Sequence, residues 1–431
     1  MSESHAPSGQ LGIEQGFRLL FLPLHRVVDS YYGAEFVWPL RLGISASEVG
    51  LRFTAVVGSI DARSRAMLER YGNRVVALSS KTASEMWQHS LSNDLGFYYG
   101  LIEKGIREGL GRHTLIHHAF LGFKRGFNPV IVSGMHRPAA IGPLLYQPNR
   151  ELEALECVKQ GIPVPAEDSP WQKRLLEKLY RSTLRNSDLI FFDVPETLSQ
   201  LGTAFPEALD KKLVVLNSVG WPLRDSPRTD FSQRQPMKLL VVSRARPRKR
   251  IDTAIKALSR LPSGLFTLDI VGDGPSMPYL KRLIKELNVE SRVTFRGPVD
   301  NARLRQIFDE YDLLIHLDIL PALANGMIQE AVPAALPVAV STESRVERPL
   351  DLPYGWQVDM EDPGVLAELL LKLYDNPGLL ATKSHEALKF AAKEMSYRAV
   401  GNKIYKGYQS VLRQNGIPMA LGEGPLEKHI D

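Results

Sequence analysis

A chain of 431 residues is too long for one ordinary hydrophobic core, and two domains of about 200 residues each are the natural expectation. Hydrophobic content of 44% with 23% charged residues is that of a folded globular protein. The net charge of +5 gathers in no arm or tail, which argues against bulk nucleic-acid binding. The single cysteine, Cys157, excludes an internal disulfide and fits a reducing, cytoplasmic setting. No apolar run approaches the ~20 residues needed to span a bilayer, so any membrane association is peripheral.

In chain order, residues 1–16 show no periodicity and read as a loose terminus. Arg18–Leu22 reads as a short buried strand, followed by a loop holding Gly33 and by a helix from Phe36. Leu51–Val57, Val75–Leu78, Leu115–His118 and Val130–Val132 read as further strands between helices. Trp171, Leu175, Leu176, Leu179 and Leu184 recur at helical spacing before Leu189–Phe192 switches to strand, and Lys212–Leu216 is the last strand of this half. Strands alternating with helices imply a parallel sheet covered on both faces. Gly33 follows the first strand and His118 ends another, both at the ligand-facing edge of such a sheet. A plain loop glycine and a histidine capping its strand are the bland alternatives.

The stretch Gly220–Pro236 is rich in Pro, Arg, Asp, Ser and Gln and reads as the linker. Beyond it the alternation repeats, with strands at 238–242, 265–271, 292–296, 312–317 and 337–341. Met277, Leu280, Leu283, Ile284 and Leu287 form one helix's apolar stripe, and a last helix falls near Tyr397–Leu412. Gly272–Asp273–Gly274 begins like a dinucleotide fingerprint, but Met277 stands where the third glycine belongs. No metal-ligand spacing and no Gly-x-Ser-x-Gly elbow is present.

Two loops of the second half carry chemistry. After the apolar run Leu239–Val242 come Ser243 and five cations in seven residues, Arg244 to Arg250, leading into a helix. Strand, basic loop and helix present cations and backbone N–H groups to a phosphate, although a solvated turn or an RNA contact explains the cluster as well. The strand Leu313–Leu317 then leads to Asp318, to Asn325–Gly326–Met327 at a helix start, and to Glu330 on that helix. Glu330 offers two oxygens suited to ribose hydroxyls, and a solvated helix carboxylate is its bland reading.

Taken together these segments resemble the retaining GT-B glycosyltransferases of family 4. The family's G-R-x-x-x-x-K-G loop is matched by Arg244 and Lys249, with Ser243 and Arg250 in place of the glycines. Its V-G-x-G-P turn is matched by Val271–Pro275, its V-x-F-x-G-x-V segment by Val293–Val299, and the second carboxylate of its E-x7-E signature by Glu330. The first carboxylate is replaced by Ala322. In the first half, Gly33 and Glu35 keep part of G-G-x-E, and His118 takes the second histidine of D-x-x-H-x-H.

The resemblance implies an α/β chain of GT-B architecture, two Rossmann-like doubly wound domains facing a central cleft. Its expected limits are an acceptor domain over 1–220, a linker over 221–236, a donor domain over 237–395, a helix crossing back over 396–413 and a tail over 414–431. It implies transfer of a hexosyl group from a nucleotide-diphosphate sugar to a hydroxyl of a glycan, a lipid-linked or a small-molecule acceptor, with no metal or other cofactor. His118, Arg244 and Lys249 would serve catalysis. The donor would lie on Gly33, Arg244, Lys249, Gly272, Val299, Asp318, Asn325, Gly326, Met327 and Glu330. With alanine at 322, Asp318 or Asn325 would have to hold the hexose. The alternative is a GT-B nucleotide-binding protein without transfer, acting as a partner or regulatory subunit.

Overall fold

The structure, a computed structural model, describes residues 19–23, 27–28, 34–57, 59–77, 115–121, 139–144, 150–164, 169–233, 236–299, 301–321, 323, 325–342 and 345–417. Two seven-stranded sheets dominate it. The first is built from β1 (Leu19–Pro23), β3 (Phe53–Val57), β5 (Arg74–Ala77), β6 (Leu115–Leu121), β7 (Ala139–Leu144), β8 (Leu189–Phe192) and β9 (Lys212–Val215) in the order β5-β3-β1-β6-β7-β8-β9, every pair parallel. Two short strands, β2 (Val27–Val28) and β4 (Ser59–Ile60), pair beside it. Among the described residues, the helices of this half are α1 (Ala34–Glu48), α2 (Ala62–Glu69), α3 (Arg150–Gln160), α4 (Pro170–Arg185) and α5 (Pro195–Ala204).

The second sheet runs β12 (Val293–Gly297), β11 (Phe266–Val271), β10 (Met237–Val242), β13 (Leu313–His316), β14 (Val338–Thr342), β16 (Gly355–Asp359) and β15 (Leu350–Leu352), parallel except for the β15–β16 hairpin. Its helices are α6 (Ile251–Ser259), α7 (Met277–Glu286), α8 (Asn301–Ile307), α9 (Gly326–Ala331), α10 (Pro363–Asp375) and α11 (Gly378–Glu394), and α12 (Tyr397–Gln414) ends the described chain. Alternate residues of β10 feed two separate cores: Met237, Leu239 and Val241 on one face, Leu240 and Val242 on the other. A strand buried on both faces needs a continuous apolar run, which is why this one stood out in the sequence.

In each sheet the strand order reverses beside its first strand, between β3 and β6 around β1 and between β11 and β13 around β10. Such switch points open a crevice at the carboxyl ends of the strands. Strand β7 was not anticipated because Gly142–Pro143 interrupts its apolar run. The strand expected at Val130–Val132 lies outside the described residues, as do Gly33, Ala322 and residues 418–431.

Helix α12 belongs to the core of the first sheet although it follows the second in sequence. Val400, Ile404, Tyr408, Val411 and Leu412 pack with Leu189 and Phe191. Gly401 permits the contact with α1, since a Cβ there would lie 2.1 Å from the Ser45 carbonyl oxygen. The two chain crossings run side by side: Trp221 N donates to Met395 O at 2.8 Å and bridges to Ser396. The Arg41 guanidinium lies 3.8 Å over the Trp221 ring and donates to Tyr397 Oη at 2.7 Å. The segment expected to be a linker is packed: Arg228 is buried and donates to Phe308 O and Tyr311 O at 3.1 and 2.6 Å.

His117 locks this helix in place. Its Nε2–H donates to Gly142 O at 2.9 Å, so Nδ1 accepts from the Tyr408 hydroxyl. Burial pushes its pKa down to about 4, against the pull of the Gly142 hydrogen bond. Tyr408→Phe removes the hydroxyl, and chemical denaturation should report a loss of about 1–3 kcal/mol. Because the folded pKa lies below the unfolded one near 6.5, this histidine's contribution is intact above pH ~6.5 and is lost as pH falls towards 4.

Candidate functional site

The loop after β10 rises at the second switch point. Ser243 N donates to Val271 O at 3.0 Å and Ala245 N to Asp273 O at 2.9 Å, so the loop leans on the turn after β11. Gly272, at φ +125°, is required there: a Cβ would meet Ser243 O at 2.0 Å. Its glycine therefore answers first to loop packing. Arg244 and Arg246 are exposed, while Pro247–Lys249 forms one tight turn that carries the next cations inward. Arg250 closes that turn in the left-handed region at φ 45°, ψ 34°, a conformation costing a non-glycine residue roughly 1 kcal/mol or more.

The loop after β13 supplies the counter-charge. His316 ends β13 and Asp318 follows two residues on in the loop, which brings His316 Nε2 to 3.9 Å from Asp318 Oδ2. The Asp318 carboxylate is fully buried; Arg248 Nη1 donates to its two oxygens at 2.7 and 2.9 Å, and Lys249 Nζ donates to Oδ2. Lys249 also donates to Asn325 Oδ1 at 3.1 Å and lies 3.3 Å from His316 Nε2. Ser341 Oγ accepts from Asp318 N at 3.0 Å, tying the loop to β14. Burial opposes ionisation of Asp318, yet Lys249, His316 and Arg248 hold its pKa below the usual carboxylate range. Burial likewise pulls the Lys249 pKa down against the attraction of Asp318, and burial with the Lys249 charge lowers that of His316.

Asp318 thus has a different part from the hexose acceptor expected of it: both its oxygens are engaged by cations. Asn325 is buried as well, its Oδ1 on Lys249 and its Nδ2 3.4 Å from Pro321 O. Glu330 is not a solvated carboxylate; it is only 6% exposed on α9, and its charge is felt by Arg305, which donates to Pro222 O at 2.5 Å. Gly326 and Met327 open that helix, and Val299 and Met327 both pack against the core on that face of the sheet. His118, expected to end its strand, lies within β6 opposite Leu22 and Ile141, because the strand runs on to Leu121. Among the described residues no group of three or more His, Cys, Asp or Glu side chains is placed to hold a metal, and no helix is long and apolar enough to cross a membrane.

The first domain reaches this cluster from helix α3. Glu156 pairs with Arg250 Nη1, and Glu153 Oε1 lies 3.9 Å from Arg248 Nε. Beside them a cavity of about 330 Å³ opens between Val194–Glu196 of the first domain and Asp318–Pro321, Ser341, Thr342 and Gln357 of the second. Sequence reading missed Arg248, His316, Glu153 and Glu156. The close spacing of His316 and Asp318 was a readable signal; the pairing of α3 with the basic turn was not.

Removing Asp318 leaves two inward-facing cations without their shared carboxylate. Asp318→Ala should cost about 3–5 kcal/mol in chemical denaturation of the full chain, since a broken buried pair strands its partner. An effect within about 0.5 kcal/mol would mean that the cluster is solvated.

No curated protein matches the chain. Among solved structures, Anabaena HepE in complex with UDP superposes with a TM-score of 0.63 at 18% identity, covering 91% of this chain and 100% of that one. Sucrose-phosphate synthase from Thermosynechococcus elongatus gives 0.64 at 15% identity, covering 92% and 100%. A glycosyltransferase from Rickettsia africae gives 0.61 at 15%, covering 92% and 99%. These likenesses establish the GT-B fold. Residues 226–395, which hold the second sheet, match the family described as "Glycosyl transferases group 1".

Proposed function

We propose that this protein is a retaining hexosyltransferase that moves a sugar from a nucleotide-diphosphate donor to a hydroxyl of a glycan, lipid-linked or small-molecule acceptor. The observation that carries the reading is the convergence of Arg244, Lys249, Asn325 and the Glu330 helix on the switch point of the region that matches the group 1 glycosyl transferases. A UDP-hexose is the first donor to test, because the HepE structures hold UDP and UDP-glucose.

In this reading the exposed Arg244 and the largely buried Lys249 stabilise the charge that develops on the departing diphosphate. Two cations and backbone N–H groups do this without a divalent metal. The bond from the anomeric carbon to the diphosphate oxygen breaks, the acceptor oxygen bonds on the same face, and its proton passes to the leaving oxygen. His118, on β6 of the first sheet, is the first-domain residue assigned to the sugar or acceptor. Asp318 acts one step removed, as the counter-ion that holds Lys249 and Arg248 in the turn.

Alanine at 322 and the engaged carboxylate of Asp318 favour a second reading, a nucleotide-binding partner subunit that consumes no donor.

Lys249→Ala should weaken binding of a nucleoside diphosphate by roughly 1.5–3 kcal/mol and leave the nucleoside nearly unchanged, measured by calorimetry with UDP and uridine. Equal losses for both ligands would remove Lys249 from the diphosphate. Chelation of divalent ions should leave transfer unaffected.

A further inference from the structure

Helix α3 presents Glu153, Glu156, Cys157 and Gln160 on one face, at the i, i+3, i+4 spacing. Glu156, Cys157 and Gln160 are each less than a tenth exposed. That face meets the turn Pro247–Lys249 and the residue after it. The Arg250 guanidinium lies between Glu156 of the first domain and Glu361 of the second, the latter at 2.6 Å, and Nη2 also approaches Met360 O at 3.4 Å. Its neighbour Arg248 points one nitrogen at Asp318 and leaves Nε 3.9 Å from Glu153.

Three consecutive cations thus share four carboxylates, two from each domain. The backbone of Arg250 is the part that needs explaining. Glycine would take φ 45° without cost, yet a long cation stands there in a left-handed conformation. The strain is accounted for by what the side chain does: it joins a helix of the first domain to the phosphate-side turn of the second. The pair is nearly dry, with the side chains of Arg250 and Glu156 only 6% and 2% exposed, so it is weakly screened by salt.

We propose that the Glu156–Arg250 pair is an interdomain pin that holds helix α3 of the first domain closed on the basic turn, making Arg250 a positioning residue for transfer rather than a donor contact. Its link to transfer rests on the transferase reading above; the pin itself does not. Donor affinity resides in the second domain, on Arg244, Lys249 and the α9 loop. Transfer needs the first domain, with His118 and the acceptor, brought up to the donor. Loss of the pin therefore acts on kcat more than on donor KM. Arg250 keeps Glu361 when Glu156 is gone, so the second domain stays folded in Glu156→Gln.

The test uses the full chain and two readouts. Small-angle X-ray scattering should give a larger radius of gyration for Glu156→Gln and for Arg250→Gly than for the native protein. The double variant should open no further than either single, because both remove the same contact between the domains. Arg250→Lys, which keeps the charge and loses the fork, should fall between. Arg250→Gly should lower the melting temperature, since relief of the backbone strain offsets only part of the cost of stranding the buried Glu156 carboxylate. With an active donor, kcat should fall about tenfold while donor KM changes less than about threefold. An unchanged radius in both single variants would overturn the pin, as would additive opening in the double variant. Opening of the variants in a native protein that consumes no donor would uphold the pin and count against the transferase reading instead.

Discussion

Everything at the cleft depends on the carboxylate of Asp318 meeting Arg248 and Lys249 in a buried turn. Taking an ion out of water costs several kcal/mol unless a partner and hydrogen bonds replace the solvent. The turn Pro247–Lys249 carries two adjacent cations inward, and the loop after β13 answers with one fully buried carboxylate whose two oxygens serve both. Asn325, His316 and Ser341 then complete the contacts around that ion group. The position of Lys249, and so of any phosphate it meets, is set by these partners before a ligand arrives.

The fold explains why these pieces meet. Strand β10 pairs with β11 on one side and β13 on the other, so the loops after β10 and β13 leave from neighbouring strand ends. The turn after β11 supports the first of them, which accounts for Gly272. Besides the contact through helix α3, further ties join the first domain to this assembly. Helix α12 anchors in its core through Tyr408 and His117. At the crossings, Trp221 Nε1 lies 3.4 Å from Gln329 Oε1, next to Glu330 on α9.

Much of the second half was legible because its strands are buried on both faces and read as unbroken apolar runs. The expected strands at 238–242, 265–271, 292–296, 312–317 and 337–341 lie within a residue or so of β10 to β14. The hairpin β15–β16 escaped notice: Leu350–Leu352 is short and mostly exposed, and short edge strands carry little pattern. In the first half, β7 was hidden by its Gly-Pro pair. Single residues were harder. Burial of Glu330 cannot be read from one carboxylate on a six-residue helix, and the engagement of Asp318 follows from tertiary pairing with Arg248 and Lys249. The substitution of Arg250 for a glycine was visible in the sequence; its reason, a carboxylate on helix α3, was not.

In the function proposed above, the diphosphate site is preset by an internal ion cluster. The most direct test is to incubate the protein with UDP-, GDP- and ADP-hexoses and hydroxyl acceptors, following nucleoside diphosphate release and the anomeric configuration of the product by NMR. Acceptor-dependent release with retained configuration is the predicted result. Tight nucleotide binding without consumption of any donor would contradict it.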